Sequence, residues 1–422
     1  MAQEPAALRL SFADAVHRVA SETPPPSVEL AGLRTDEARG RVTQARAGLL
    51  PNLAVNGFWA NRTFSPKAQG LSFPGLPTII GPFNAYDGRV QFRQTLFDFS
   101  NLGRLSAAKH AFTASTADRS ATVETSAQSV AIAYARASRS QAVVGARRAD
   151  SALAAEFVTL AVAQQQAGVS ASIDVTRAKV QLAESAGRLI LATSQLERAK
   201  IDLSRTLGVD PDMAIELTDT LSTELGAADV PAGREAAVAQ ALATRPDLSA
   251  EIARGAAART AASAISAERL PRLDLQADMG LSGTRPEDMV NTRQVAVQVT
   301  WPILDGLRRE GRMAEQKAVA QASDVRATDL RQQVTADVDG ALLDLRSAAA
   351  QQMITRERLQ LAAEEVSQAR QRFQAGVAGN IEMINAQESL VRAREADIDA
   401  RFAGLAARIA LARSVGSAHT LH

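Results

Sequence analysis

The sequence contains no cysteine, only two tryptophans and two tyrosines, and no run of eighteen or more apolar residues. Each absence removes a class of protein. Without cysteine there is no disulfide scaffold, thiolate zinc site, iron–sulfur cluster or lipid-modified cysteine in this chain. Without a long apolar run there is no transmembrane helix. An excess of one charge is missing too, since 47 lysines and arginines stand against 46 aspartates and glutamates, a net +1. No dense basic run offers nucleic acid an electrostatic footprint. The opening residues, Met1-Ala2-Gln3-Glu4-Pro5, lack the basic and apolar regions of a secretory signal. That is expected of a cytoplasmic protein or of a processed form restarted with methionine.

Catalytic signatures are also lacking. His17, His110, His419 and His422 share no metal-ligand spacing, and the last two read as a solvated tail. There is no nucleophile elbow, phosphate-cradling glycine loop or dinucleotide fingerprint. No enzyme activity, cofactor or metal is therefore expected.

What the chain has is alanine and repetition. Hydrophobic residues make up 46%, and alanine alone is roughly a fifth of the chain, a composition that builds long, closely packed helices. Gln166-Ala167-Gly168-Val169 recurs as Gln374-Ala375-Gly376-Val377 at an offset of 208, Gly103-Arg104 recurs as Gly311-Arg312, and Gly208 pairs with Gly416. Leu50-Pro51-Asn52-Leu53 matches Leu270-Pro271-Arg272-Leu273. Two homologous repeats follow, 1–225 and 226–422, each reading helix, strand, loop, strand, long helix, break, helix.

In the first repeat a helix from about Val28 to Leu49 stops at Pro51, which cannot supply an interior amide. The pattern then has period two. Strands are expected over about 52–61 and 89–97, and in the second repeat over about 272–282 and 293–304. Leu53, Val55 and Trp59 alternate with Asn52, Ala54, Asn56 and Phe58; Leu273, Leu275 and Met279 alternate with Asp274, Gln276 and Asp278; Val295, Val297 and Val299 alternate with Gln294, Ala296 and Gln298. Such two-faced strands of about ten residues have the length that crosses a bilayer at a tilt. The connections Arg62 to Gly88 and Gly283 to Asn291 are expected to be loops.

After each second strand the period becomes helical, over about Leu102–Gln166 and Leu307–Gln374. At 1.5 Å per residue these runs would be about 100 Å long. The shorter helices beyond the breaks carry heptads: Val175, Leu182, Leu189, Leu196 and Leu203 in one, Ile384, Val391, Ile398 and Leu405 in the other. Glycine inside helical sequence costs about 1 kcal/mol, and its recurrence at Gly168 and Gly376 points to a required turn.

Four strands cannot close a transmembrane barrel, so several chains are expected to contribute. Two chains would give eight strands around a filled interior, and three would give twelve around water. The polar faces, with Asn52, Asn56, Arg93, Asp274, Gln276, Asp278 and Gln298, favour the wet interior and hence a homotrimer. Trp59 and Trp301 stand at the expected strand ends, where a membrane-interface belt would place them. The rival reading is a soluble helical coiled-coil scaffold carrying a small sheet.

The duplicated order, the Leu-Pro-x-Leu entries, the exits Leu96-Phe97-Asp98 and Leu304-Asp305-Gly306 and the twin Gln-Ala-Gly-Val breaks resemble the TolC-like outer-membrane efflux family. The resemblance implies a mainly α fold with β. One subunit would supply four transmembrane strands to a twelve-stranded trimeric barrel, continued by a long α-helical coiled-coil barrel. It implies a place in the outer membrane of a Gram-negative bacterium, extending through the periplasm in contact with outer-membrane lipid. The partners implied are a periplasmic adaptor (membrane fusion) protein and an inner-membrane pump. The function implied is an exit duct for tripartite efflux of small molecules such as drugs, with type I protein secretion and metal-ion efflux as alternatives.

The same resemblance makes Gly168, Val169, Gly376 and Val377 the adaptor-docking helix tips. Two acidic positions one turn apart, which form charged rings at the family's constriction, fall on Glu382 and Asn385, the second without its charge. Asp174, equivalent to Glu382 in the first repeat, would join the network that shuts the tip. Phe373 and Ala378 stand where a tyrosine and an arginine are found in the family's best-known member, and Arg177 could replace that cation.

Overall fold

The computed structural model describes residues 8–21, 23–70, 74–75, 77–210, 213–221, 233–377 and 379–421. In chain order these form strand β1 (Leu8–Leu10), helices α1 (Phe12–Arg18) and α2 (Pro26–Ala47), strands β2 (Asn52–Phe64) and β3 (Ile80–Phe97), and helices α3 (Phe99–Gln166) and α4 (Ser172–Leu207). There follow strand β4 (Ile215–Leu217), helices α5 (Arg234–Thr244) and α6 (Pro246–Ala267), strands β5 (Arg272–Gly283) and β6 (Val290–Thr300), and helices α7 (Arg308–Gln374) and α8 (Asn380–Ser414). The chain divides into two units, one of residues 1–33, 117–249 and 327–422, the other of 34–116 and 250–326.

The second unit holds an antiparallel sheet in the order β2-β3-β5-β6, so the two repeats meet edge to edge at β3 and β5. The aspartates of the two exit motifs start the long helices. Asp98 Oδ1 accepts from the backbone N–H of Ser100 at 2.8 Å, and Asp305 Oδ2 accepts from that of Arg309 at 3.1 Å. Each thereby satisfies a first-turn amide that has no partner within its own helix.

The first unit holds the remaining core. β1 and β4 pair in parallel and tie the segment before α1 to the segment after α4. Tyr134 packs edge-on against Phe12 with ring centres 5.7 Å apart, and its hydroxyl donates to the Leu10 carbonyl at 3.1 Å. Burial pushes this phenol up to about 12, so it stays a donor at physiological pH. Further along, Phe157, Val175, Val366, Phe373, Met383 and Leu390 form a core to which α3, α4, α7 and α8 all contribute. Small partners such as Ala161, Ala178, Ala386 and Ala393 lie among them and let the helices approach closely.

Several expectations shift. β2 runs on to Phe64 and β3 begins at Ile80, not 89, so both ends of the expected loop from Arg62 to Gly88 are strand: Arg62 pairs with Phe83 and Phe64 with Ile80. The Gly and Pro residues that suggested a loop are taken up by a shift of register between Arg62 and Phe64, beyond which the hairpin continues. Residues 71–73 and 76 of that connection lie outside the described residues. β6 ends at Thr300, short of the expected 304. In α4 the heptad stripe is as expected, with Val175, Leu196 and Leu203 buried and Leu182 and Leu189 half-buried. In α8 the fully buried stripe lies one residue earlier, on Met383, Leu390, Asp397, Gly404 and Leu411, while of the expected heptad Leu405 is buried and Ile384, Val391 and Ile398 flank it half-buried. Residue size hid this, because alanine, glycine and glutamine fill the close approach and the branched residues sit at its margin. His419 is not part of a solvated tail: its Nδ1 meets Glu124, whose other oxygen accepts from the Ala418 N–H at 2.7 Å, and Ala418 and Leu421 are buried. His422 lies outside the described residues.

A buried ion fork fixes the corner between α5 and α6. Arg245 donates to both carboxylate oxygens of Asp247 at 3.1 and 2.7 Å and to Asp337 on α7 at 2.7 Å. Burial would raise the Asp247 carboxyl, but Arg245 more than offsets this and holds it below the ordinary carboxylate range. A carboxyl depressed in the folded state contributes stability above its unfolded pKa and loses it as pH falls through the folded value. Asp247→Asn should therefore lower thermal stability by about 2 kcal/mol near neutral pH. The gap between variant and parent should narrow as pH falls below the ordinary carboxylate range and Asp247 takes up its proton. Parallel melting curves with a constant gap across that range would contradict the assignment.

Candidate functional site

Three groups of residues carry the chemistry expected of a duct: the two helix turns, the polar face of the sheet and its apolar face. At the turns, Gly168 and Gly376 have φ of 74° and 73°, a left-handed conformation that glycine adopts without strain. The Gly168 N–H donates to the Gln165 carbonyl and that of Val169 to Gln164, both at 3.0 Å. Gly376 and Val377 donate in the same pattern to Phe373 and Arg372, both at 3.1 Å. This is the double cap that ends a helix at a glycine. A side chain begun at Gly376 would lie 3.4 Å from Val169 Cγ1, so the two turns touch. Val169 and Val377 are exposed.

Asp174 and Glu382 each lie in the first turn of the next helix, α4 and α8, where a carboxylate complements the helix dipole. Glu382 meets Arg372 Nε across its turn at 3.1 Å. Asp174 meets Arg177 at 3.8 Å, an ion pair without a hydrogen bond. Asn385, one turn after Glu382, is exposed on the same side of α8. Phe373 does not face the acids; its ring packs 5.3 Å from that of Phe157 in the four-helix core. Ala378 lies outside the described residues.

Residues that sequence reasoning passed over bind the tip together. Gln164 Nε2 donates to the Phe373 carbonyl at 2.5 Å, and the buried Asn380 donates from Nδ2 to the Asp174 carbonyl at 2.7 Å. The signal was present, since at the 208 offset Gln164 aligns with Arg372 and Ser172 with Asn380. The positions where the repeats differ are the ones that bond across them.

On the sheet, strand register collects all seven expected lumen residues on one face. Asn52, Arg93 and Gln276 stand in one cross-strand row, with Asn56 on β2, Asp274 and Asp278 on β5 and Gln298 on β6 at matching parity. Gln276 donates to Gln298 at 3.0 Å, and Thr95 donates to Asp274 at 2.9 Å. Arg89, not singled out from sequence, is the hub of this face. It bonds Asp87 through Nε and Nη2 at 2.6 and 2.5 Å and Asp278 through Nη1 at 2.6 Å. The late start expected for β3 left its partner Asp87 in a loop and so concealed the bond.

The opposite face presents Leu53, Val55, Trp59, Val90, Met279, Leu281, Val295, Val297 and Val299, all exposed, with Val55 at 79% and Val295 at 75%. Trp59 lies inside β2, not at its end, because the hairpin continues to Phe64. Trp301 follows β6 directly, and its indole N–H donates to the Arg269 carbonyl at 3.1 Å. No helix among the described residues is long and apolar enough to cross a membrane. Among those residues no group of three metal-ligating side chains occurs either.

Known proteins place this geometry. The family model described as outer membrane efflux protein matches residues 25–209 and 237–417. Among solved structures, VceC from Vibrio cholerae aligns at a TM-score of 0.80 with 20% identity, over 96% of this chain and 96% of its own. The Campylobacter jejuni CmeC outer membrane channel aligns at 0.80 with 14% identity, over 96% and 86%. The open state of the Neisseria gonorrhoeae MtrE outer membrane channel aligns at 0.78 with 18% identity, over 96% and 89%. Among curated protein sequences none matches.

The left-handed turn at Gly376 makes a local test. In Gly376→Ala the added Cβ costs about 1–2 kcal/mol in this conformation, so the caps should open more often. Amide exchange at Val377 should rise by about tenfold. Unchanged protection would show that the turn has relaxed to another cap.

Proposed function

The chain belongs to the outer membrane efflux protein family, and from that premise we propose that it is one subunit of a homotrimeric exit duct for small molecules such as drugs. As an outer-membrane channel it performs no catalysis. The observation that carries the proposal is the sheet: four strands with one exposed apolar face, one charged and amide-bearing face, and two unpaired edges at β2 and β6. A soluble domain would cover that apolar face. In the bilayer it meets lipid, and pairing β6 of one chain with β2 of the next closes twelve strands with no edge.

In this arrangement Asn52, Asn56, Arg93, Asp274, Gln276, Asp278 and Gln298 line the water-filled lumen, and Trp59 and Trp301 face the membrane. The turns at Gly168, Val169, Gly376 and Val377 form the periplasmic tip against which an adaptor docks, and an inner-membrane pump supplies the energy. Threefold symmetry brings Glu382 and Asn385 of three chains around one axis, with Asp174 and Arg177 beside them. The Glu382–Arg372 and Asp174–Arg177 pairs give each acid a cation that must be displaced or carried along when the tip opens.

Three carboxylates around an axis attract cations. Purified protein in planar bilayers should form long-lived pores, and Glu382→Gln should lower the cation-to-anion permeability ratio about twofold or more, against a Coulomb term of about 1 kcal/mol per close charge in water. Pores whose reversal potential is the same in both proteins would remove Glu382 from the constriction. Absence of pores would oppose the duct itself.

A further inference from the structure

The polar face of the sheet looks acidic when read from Asp274 and Asp278, yet its charge balance is the reverse. Strand parity puts four arginines on it, Arg62, Arg89, Arg93 and Arg272, against three aspartates, Asp87, Asp274 and Asp278. All three acids are engaged: Asp87 and Asp278 by Arg89 at 2.5 and 2.6 Å, and Asp274 by Arg272 at 3.3 Å and Thr95 at 2.9 Å. Arg62 lies over the Phe83 ring, 5.6 Å from its centre. Arg93 is exposed and has no hydrogen bond or ion pair among the described residues. Its cross-strand neighbours Asn52 and Gln276 are uncharged amides whose N–H groups can donate beside it.

We propose that Arg93, flanked by Asn52 and Gln276, makes the barrel lumen an anion-selecting passage, favouring small organic anions that carry a carboxylate, phosphate or sulfonate. A planar guanidinium offers such oxyanions paired N–H donors, and the two amides extend that set. In a trimer three Arg93 side chains lie at one height around the axis. At about 0.1 M salt a charge is felt over roughly 10 Å, and at about 0.01 M over roughly 30 Å. The selection therefore strengthens as salt is lowered. It acts in the barrel, independently of Glu382 at the tip, and rests on the reading that this face lines a wet lumen.

Because the chain has no cysteine, one introduced thiol reports the local potential without background. Asn52→Cys, directly across from Arg93, would be treated in the assembled protein with two methanethiosulfonate reagents of similar size, one bearing a sulfonate and the other a trimethylammonium group. The ratio of their rates, each divided by the same reagent's rate with a small free thiol in the same buffer, cancels any effect of Arg93 on the thiol itself and the reagents' own difference toward a thiolate. At about 10 mM salt the anionic reagent should react roughly fivefold faster. The ratio should fall toward one in about 0.5 M salt and in the Arg93→Gln background. Gln276→Cys, on the other side of Arg93, gives the same readout if the first variant assembles poorly.

A ratio at or below one, or a preference that survives Arg93→Gln, would overturn the inference while leaving the barrel standing. Val55→Cys on the apolar face separates the two readings. If that thiol reacts with both reagents and those at 52 and 276 react with neither, the wet-lumen reading falls and the anion preference with it.

Discussion

Inside a bilayer no water is available to satisfy a backbone amide or carbonyl, so a strand that enters must find partners along both its edges. This constraint organises the whole molecule. The sheet satisfies it internally at three junctions, β2 with β3, β3 with β5, and β5 with β6, and leaves the outer edges of β2 and β6 open. Unpaired edges within hydrocarbon would cost several kcal/mol per group. On the proposed reading each chain therefore depends on its neighbours before it can sit in the membrane. The exposed apolar face, with Val55, Val295, Val297 and Val299, is a defect only if the chain is taken alone in water.

Duplication supplies the economy of the design. One repeat contributes a hairpin and four helices, α1 to α4, and the second repeats them as α5 to α8 with local changes. The double glycine caps at Gly168 and Gly376 keep the same backbone geometry, because a left-handed turn has few substitutes. The side chains around them diverge, and divergence creates bonds that an identical pair could not make: Arg372 reaches Glu382 where the first repeat has Gln164, and Asn380 reaches Asp174 where the first repeat has Ser172. The tip of the bundle is thus held by paired charges and amides at its surface above a core of Phe157, Phe373 and Met383.

Most of the fold was legible in the sequence because its signals are periodic. Alternation marked the strands, and the polar residues named from it fall on one face of the sheet, since the register keeps its parity between the irregularities near Arg62 and Thr95. What escaped depends on contact between distant segments. The short parallel pair β1 and β4 carries three residues a strand, too few for a pattern. The early start of β3 at Ile80 is imposed by its partner β2, not by its own Gly- and Pro-containing sequence. The buried stripe of α8 runs through Asp397 and Gly404, which a search for apolar residues spaced by seven passes over. The Glu382–Arg372 pair at the turn and the bond from Arg89 to Asp278 follow from geometry that no single segment encodes.

The claim on which everything else rests is that the four-stranded sheet is one third of a closed barrel. Electron microscopy of the membrane-extracted protein in detergent tests it most directly. The account predicts threefold particles, each with a detergent belt around the sheet and a helical tube projecting from it. Monomeric particles that need no detergent, or assemblies without a threefold axis, would contradict it.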